Sequence, residues 1–414
     1  MRKIKLGDKK NVTNNIVMLY IMNLTQLVLP LLTFPYLTRI LSVENYGVLS
    51  YVKSLMTYII IIIEFGFLLS GTKDIVEAKE DVKKIGIILG RITIAKIILA
   101  MVSFIVLLIM ILNIPLLHEH ILFTLLSFCS PCLTIFLFDY LFRGLERMYL
   151  ITYRYLIMKG MSTICVFIFI HNNNQMLLIP IFDTLGTVMA IIWVHYEIKK
   201  IGIKIRFDSI KAVFLSIKES FTYFISDIVS TVFNALNTLL IGIYLNSTSV
   251  AYWGVIMTLI TAVQSMYTPI ADGIYPHMLK TKSLNLLHKI IAIFIPFLII
   301  GGSITYFGSR IIMLLIGGSK YLPAAHYLRM CVLLLILSFF SMLFGWPTLG
   351  AIKKVRETTF TSVLAACVQI IGLIIIAIFN CFNLTTVIIL RTVAEATIMI
   401  SRLVLVKKFS YLFK

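Results

Sequence analysis

The residues of this chain with the most chemistry in them are charged groups in places where charge is expensive. Arg39, Lys53, Glu64, Arg91, Lys96, Asp139 and Asp183 fall within long apolar stretches of the first half, and Asp227, Asp272, Arg391 and Glu395 within those of the second. A charge in such a run costs about 2.5–3.5 kcal/mol or more unless it faces water or a partner. Each has a plain alternative to function. Arg39 lies near the end of its run and could snorkel to the interface, as could Arg91, Asp139 and Asp227. Arg391 and Glu395 are four residues apart and could neutralise one another on one helix. Lys53, Lys96, Asp183 and Asp272 lie deeper, and for these a cavity-lining role is the favoured reading.

A second polar pattern lies between positions 220 and 245. Ser226, Ser230, Asn234 and Asn237 recur every three or four residues and form one stripe on an otherwise apolar helix, flanked by Asp227 and Thr231. Such a stripe either glues helices together or faces a water-filled cleft, and the cleft is preferred here. The next run holds Gln264, Pro269, Asp272 and Pro276, a proline-interrupted helix with an acid near the break. The first run, 16–41, carries Pro30 and Pro35 together with Asn23, Gln26 and Arg39, which points to a bent helix beside an aqueous cleft.

The elements that must position these groups are membrane-spanning helices. The chain is 60% hydrophobic and 13% charged, and apolar runs of 18 or more residues recur along its length. No ten-residue alternation of the kind that builds a membrane β-barrel is present. Twelve spans are expected near 16–41, 48–70, 85–112, 121–142, 151–171, 176–196, 220–245, 250–277, 288–307, 326–350, 358–380 and 384–406. The segment 308–325 reads as an interfacial turn. The formal net charge of +19 is explained by topology rather than nucleic acid, because Lys and Arg collect in alternate loops. That asymmetry places both termini in the cytoplasm. The basic start leads into a span too long for a secretory h-region, so no cleaved leader is expected.

Enzyme motifs are missing. There is no G-x-S-x-G elbow, no P-loop and no histidine spacing suited to a metal, so no cofactor is expected. Cys129 and Cys132 are formally C-x-x-C but sit in an apolar span and read as inert. Transport, if it occurs, must run on an ion gradient, on the substrate's own gradient or on consumption of the product.

The chain divides into two six-helix halves, 1–200 and 201–414, joined by a basic, isoleucine-rich segment over 197–219. That segment reads equally as surface-lying or as a solvated charge run. The halves show weak similarity: Leu41 to Val48 and Leu245 to Val255 each carry a short polar turn into a Tyr-(x)-Gly-Val helix start.

The run Pro30-Leu-Leu-Thr-Phe-Pro35-Tyr-Leu-Thr-Arg39, continuing to Tyr46-Gly47, resembles the first-helix signature of Wzx-type O-antigen flippases. These belong to the multidrug/oligosaccharidyl-lipid/polysaccharide exporter superfamily. Ile63 to Phe67 resembles the family's second-helix end, Gly144 to Met148 its turn after the fourth helix, and Tyr252 to Gly254 with Pro269 and Ile274 to Pro276 its eighth helix. Gly317-Gly318 with Tyr321 and Ala324 resembles its outer turn before the tenth helix, and Glu395 its twelfth-helix acid. One departure stands before the fourth-helix turn, where Asp139-Tyr140-Leu-Phe-Arg143 replaces the usual tryptophan and glutamine.

The resemblance implies two six-helix lobes in a V around a cationic cavity that opens alternately to each side of the bacterial inner membrane. The implied substrate is a polyprenyl-diphosphate-linked oligosaccharide, with other polysaccharide-assembly membrane proteins as candidate partners. Arg39, Lys53, Arg91 and Lys96 are then candidates for the diphosphate, and the stripe Ser226, Ser230, Asn234 and Asn237 for the sugars. Asp183 and Asp272 are candidates for a coupling proton or sodium ion. Two other readings stay open. A polymerase or ligase of the same pathway should carry a large outer loop, and the outer turns here are short. A drug exporter of the superfamily should have an acidic cavity, and cations dominate the first half.

Overall fold

The structure, a computed structural model, describes residues 9–78, 81–207 and 209–413, with the side chains of 9–16, 226–235 and 272 outside the description. Among the described residues the fold is helical throughout. The first half runs α1 (Lys9–Ile40), α2 (Val43–Glu64), α3 (Phe67–Glu77), α4 (Val82–Asn113), the single turn α5 (Pro115–His118), α6 (Ile121–Leu133), α7 (Asp139–Gly144), α8 (Met148–Phe169) and α9 (Leu178–Ile201). The second half runs α10 (Ile210–Tyr244), α11 (Ser247–Ser265), α12 (Thr268–Thr281), α13 (Leu284–Gly317), α14 (Ala324–Met330), α15 (Val332–Leu343), α16 (Val355–Ile378) and α17 (Leu384–Lys408).

Nine segments among the described residues are long and apolar enough to cross a membrane, including the broken rods Val43–Glu77, Ile121–Gly144, Ser247–Thr281 and Ala324–Gly350. With α8, α10 and α17 they make the expected twelve rods, six on each side of the connection at 202–209. Large apolar side chains such as Phe297, Phe307, Ile311, Ile371 and Ile378 are exposed, as suits helices whose outer solvent is lipid. The chain is an all-α polytopic membrane protein.

Helix starts are set by side-chain caps. Ser42 accepts from the Asn45 amide at 3.1 Å to open α2, and Asn246 accepts from the Ser249 amide at 2.9 Å to open α11. These are the two polar turns that the halves share in sequence, and they do the same job: each satisfies a donor that the first helical turn would leave bare. The α2 turn is further tied by Asn173, whose side-chain oxygen accepts from the Ser42 amide and the Asn45 side chain, both at 2.8 Å.

The helix α1 is continuous despite Pro30 and Pro35. Hydroxyls ride along it: Thr33 donates to the carbonyls of Leu29 and Pro30, and Thr38 to those of Phe34 and Pro35. It is held to α8 by the Tyr36 hydroxyl on the Ile170 carbonyl at 2.8 Å and by Thr152 on the Met18 carbonyl at 2.8 Å.

The break between α2 and α3 is a backbone device. Phe65 and Gly66 both take left-handed conformations, with φ of 42° and 74°. A Cβ on Gly66 would also meet the Tyr223 Cβ at 2.6 Å and the Phe224 nitrogen at 2.7 Å, so glycine is needed for both shape and space. A similar left-handed residue, Phe138, caps the start of α7.

The structure corrects the expected turn over 308–325. The helix α13 runs on to Gly317, because Ile311 to Ile316 extend the same apolar run. Ser309 is buried and accepts from Arg329 of α14 at 2.8 Å, so this end of the helix is packed into the protein. Only 318–323 turn.

The chain forms two compact units, Met1–Thr231 and Val232–Lys414, with the division inside α10. The core of the first gathers Phe67, Ile92, Tyr140, Leu141, Phe142, Ile198, Ile203 and Val213, from α3, α4, α7, α9 and the start of α10. That of the second gathers Leu287, Phe339, Leu343, Phe344, Leu349 and Val406.

In the connection that reads from sequence as surface-lying or as a solvated charge run, residues 203–207 are non-helical, with Lys204 and Arg206 exposed. Residues 203–207 lie extended along α4, with Ile203 buried and the Arg206 amide donating to the Gly86 carbonyl at 3.0 Å. Gly86 and Gly90, spaced as in the close-packing G-x-x-x-G motif, make the groove; a Cβ on either would run into the carbonyl oxygen of Lys204 or Arg206. The Gly90→Leu variant should therefore release this segment. Limited trypsinolysis of the purified protein should then cut after Lys204 and Arg206 much faster than in the parent, and an unchanged rate would show that the segment is held elsewhere.

Candidate functional site

The first unit pairs most of its intramembrane charges across neighbouring helices. Arg91 of α4 meets Asp74 of α3 at 2.8 Å. Lys96, only 2% exposed, meets Glu64 of α2 at 2.7 Å and lies over the Tyr140 ring. Arg154 of α8 meets Asp139 of α7 at 2.6 Å, and Lys159 of α8 meets Asp183 of α9 at 3.1 Å. Glu64 and Lys96, and likewise Asp139 and Arg154, lie at similar distances from the turn that joins their rods, so the antiparallel register of the hairpin brings the members of those pairs level. Pairing removes most of the cost of burial, and loss of one partner exposes it.

One cluster departs from one-to-one neutralisation. Asp183 accepts from Lys159 at 3.1 Å and from Ser162 at 2.8 Å. Lys53, exposed and midway along α2, interacts electrostatically with both Asp183 and Lys159. Lys159 lies midway along α8 and is itself 38% exposed. One ammonium group thus contacts the carboxylate and a second, on exposed Lys53, lies within its electrostatic reach. Such a site has positive charge to offer an anion.

The cations singled out from sequence therefore separate. Lys53 joins the Lys159–Asp183 cluster. Arg91 and Lys96 turn to Asp74 and Glu64, so their charge is neutralised inside the first unit. Arg39 is exposed in the last turn of α1. Of the polar stripe, Ser226, Ser230 and Asn234 lie outside the described side chains, as does Asp272. Asn237 is fully buried and accepts from Gln369 of α16 at 3.0 Å, so at that position the stripe joins helices. Sequence reasoning passed over Lys159 and Arg154, although the position of Arg154 mirrors Asp139 about the connecting turn.

The second unit holds a cavity of about 480 Å³ lined by residues of α11, α12, α15, the segment Phe344–Gly350 and α17. Its charged wall is on α17. Arg391 donates to Glu395 at 3.0 Å, the neutralisation across one helical turn that their spacing allows, and Glu395 also accepts from Ser341. Arg402, within the expected span 384–406, is half-buried. It donates from Nε to Thr361 at 3.1 Å, from Nη1 to the Ser341 carbonyl at 2.5 Å and from Nη2 to Ser362 at 3.0 Å. Residues 344–350 form a π-helical segment with Gly345 at non-helical ψ, and the Arg402 guanidinium packs where a Gly345 Cβ would stand. Among the described residues, no three His, Cys, Asp or Glu side chains gather as a metal site.

A family model described as "Polysaccharide biosynthesis protein" matches residues 12–282. The chain belongs to that family. Among curated relatives of this polysaccharide biosynthesis protein, two carry the name "Putative O-antigen transporter". The one from Escherichia coli (strain K12) is 27% identical over 293 residues, 69% of each chain. The one from Shigella dysenteriae is 23% identical over 340 residues, 80% of this chain and 85% of its own. Solved structures share the fold. The lipid II flippase MurJ in an inward closed conformation aligns with a TM-score of 0.68 at 14% identity, over 95% of this chain and 87% of its own. An inward-facing multidrug resistance MATE family transporter of the MOP superfamily aligns with a TM-score of 0.61 at 12% identity, over 92% and 98%.

For this family member, the ion pairs make a direct prediction. Lys96→Met should lower stability by about 3 kcal/mol, the low end for a broken buried pair because Glu64 keeps partial access to water. The swap Glu64→Lys with Lys96→Glu should recover most of it in thermal unfolding of the purified protein. A swap no better than the single variant would mean that the pair is not what holds α2 to α4.

Proposed function

We propose that the chain is a flippase that carries polyprenyl-diphosphate-linked oligosaccharide repeat units across the bacterial inner membrane. The observation that carries this reading is the Lys53–Lys159–Asp183 cluster: two accessible ammonium groups against one carboxylate, midway along the helices of the first unit. A diphosphate brings more negative charge than Asp183 supplies, and charge-assisted contacts to it are worth about 1.5–3 kcal/mol each. Membership of the polysaccharide biosynthesis family and relatives named for O-antigen transport support the same cargo.

In this reading the halves 1–200 and 201–414 alternate access around the cargo, and both termini are cytoplasmic, as the Lys and Arg distribution favours. Arg39 extends the cationic path toward the outer surface. The stripe at Ser226, Ser230 and Asn234 supplies the candidate groups for the sugars, and Asp183 and Asp272 are the candidate acids for a coupling ion. The prenyl tail stays in lipid. The protein moves its substrate and does not change its covalent structure, and it works beside other membrane proteins of polysaccharide assembly.

The test is the fate of lipid-linked saccharide in cells. Deleting the gene should trap single repeat units on the cytoplasmic leaflet, out of reach of an external probe. Units that reach the outer leaflet but stay unpolymerised would overturn the flippase reading in favour of an enzyme. In complemented cells, Lys53→Glu should cut the externally accessible fraction by at least about tenfold, the equivalent of one lost charge-assisted contact. Lys53→Arg should retain most of it. Equal export by all three proteins would remove Lys53 from the site.

A further inference from the structure

The cavity of the second unit contains more than its charged wall. Gln264 and Thr268 line it with an amide and a hydroxyl that make no hydrogen bond among the described residues. Trp346 lines it too, 57% exposed, with its indole N–H likewise unengaged. Its ring is set in place by the π-helical segment and lies against Gly350, where a Cβ would come within 2.9 Å of it. Neutral donors and acceptors beside an aromatic plate are the equipment that recognises a pyranose: the ring packs against the apolar C–H face and the polar groups take the hydroxyls at its edge.

Arg402 adds a sign to that chemistry. Its three engaged nitrogens all rest on neutral oxygens, from Thr361, Ser341 and Ser362. A guanidinium has five N–H donors, so two remain, and no carboxylate among the described residues hydrogen-bonds to it. Glu395 is already engaged by Arg391 and Ser341. A guanidinium fork held rigidly by neutral groups, with donors left over, matches a planar carboxylate. Inorganic phosphate would use the arginine but leave the tryptophan, amide and hydroxyl without a role. The volume of about 480 Å³ is within the usual range for a small-molecule site, about 300–1,000 Å³.

We propose that this cavity is a saccharide subsite selective for an acidic sugar of the hexuronate type, with Arg402 on the carboxylate, Trp346 against the ring face, and Gln264 and Thr268 on the hydroxyls. The inference rests on the reading that the chain carries a saccharide. It deepens that reading by assigning the class of sugar and the residues that select it.

The test is tryptophan fluorescence of the full-length purified protein, titrated with millimolar glucuronate, glucose and inorganic pyrophosphate. Glucuronate should change the emission saturably, with glucose at least about tenfold weaker. Trp346→Phe should remove the optical response while glucuronate still raises the melting temperature. Gln264→Ala and Thr268→Val, at partly exposed positions, should fold normally and weaken binding several-fold. Arg402→Gln should erase the preference for glucuronate over glucose, and Arg402→Lys should keep part of it. Equal binding of glucose and glucuronate, displacement of glucuronate by equimolar pyrophosphate, or no response to any of the three would overturn the proposal. Lys53→Glu should leave glucuronate binding intact. Loss of flipping with glucuronate binding retained therefore separates the two sites, and glucuronate binding in a protein whose deletion leaves flipping intact would sink the flippase reading and spare the subsite.

Discussion

A charge among membrane-spanning helices has little water to turn to, and the first unit is built around that constraint. Its four interhelical ion pairs join residues 17, 32, 15 and 24 apart in sequence, each within one antiparallel hairpin. Neutralisation is therefore local. Each hairpin can satisfy its own charges before it meets the rest of the fold, which keeps the cost of inserting Lys96 or Arg154 small compared with that of an unpartnered ion. A pair across a hairpin also fixes its register, since sliding one helix past the other by a turn would separate nitrogen from oxygen by about 5 Å. Lys53 is the informative exception, because its neighbouring carboxylate already has a partner.

The same constraint governs the backbone. Where a rod breaks, its freed amides and carbonyls need partners, and in this fold the breaks stand beside charges or hydroxyls. Glu64 is the last residue of α2, next to the left-handed Phe65 and Gly66. Asp139 opens α7 directly after the left-handed Phe138. At the end of α15, Arg402 donates to the Ser341 carbonyl and packs on Gly345, the one residue of the π-helical segment with non-helical torsions. Arg402 supplies a donor directly to the backbone at such a break, on the Ser341 carbonyl, whereas Glu64 and Asp139 turn to Lys96 and Arg154.

Much of this was legible in sequence, and the parts that were not have physical reasons. Span number and class followed from apolar run length, because lipid tolerates few alternatives. The polar turns before α2 and α11 followed from polar residues ahead of the two helix starts, though not the capping residues themselves, and the Arg391–Glu395 pair from its four-residue spacing. The end of α13 did not follow. Gly308-Ser309-Arg310 has the composition of a turn, but the apolar run Ile311 to Ile316 beyond it and the burial of Ser309 under Arg329 keep it helical. Lys159 and Arg154 escaped notice because a single residue was weighed against its own span. Reflecting Asp139 about the adjoining turn would have found Arg154; Lys159 has no such mirror relation to Asp183. The role of Gly86 and Gly90 was hidden for another reason: the extended segment they receive lies more than a hundred residues away, and nothing local announces it.

The cluster at Asp183 has a consequence for how an anion would be held. Lys159 is bound to Asp183 by one charge-assisted contact, while Ser162 independently satisfies the same carboxylate oxygen. If Lys159 turns toward a ligand, Asp183 therefore keeps a donor and the proximity of Lys53, and is not left bare. The exchange is decided by charge. A monoanion offers Lys159 nothing beyond what Asp183 already gives. A ligand with two or more negative charges can engage Lys53 and Lys159 together while Ser162 holds the displaced carboxylate. On the proposed reading, selection for multiply charged cargo would need no further residue, because it would be set by the ratio of two ammonium groups to one carboxylate.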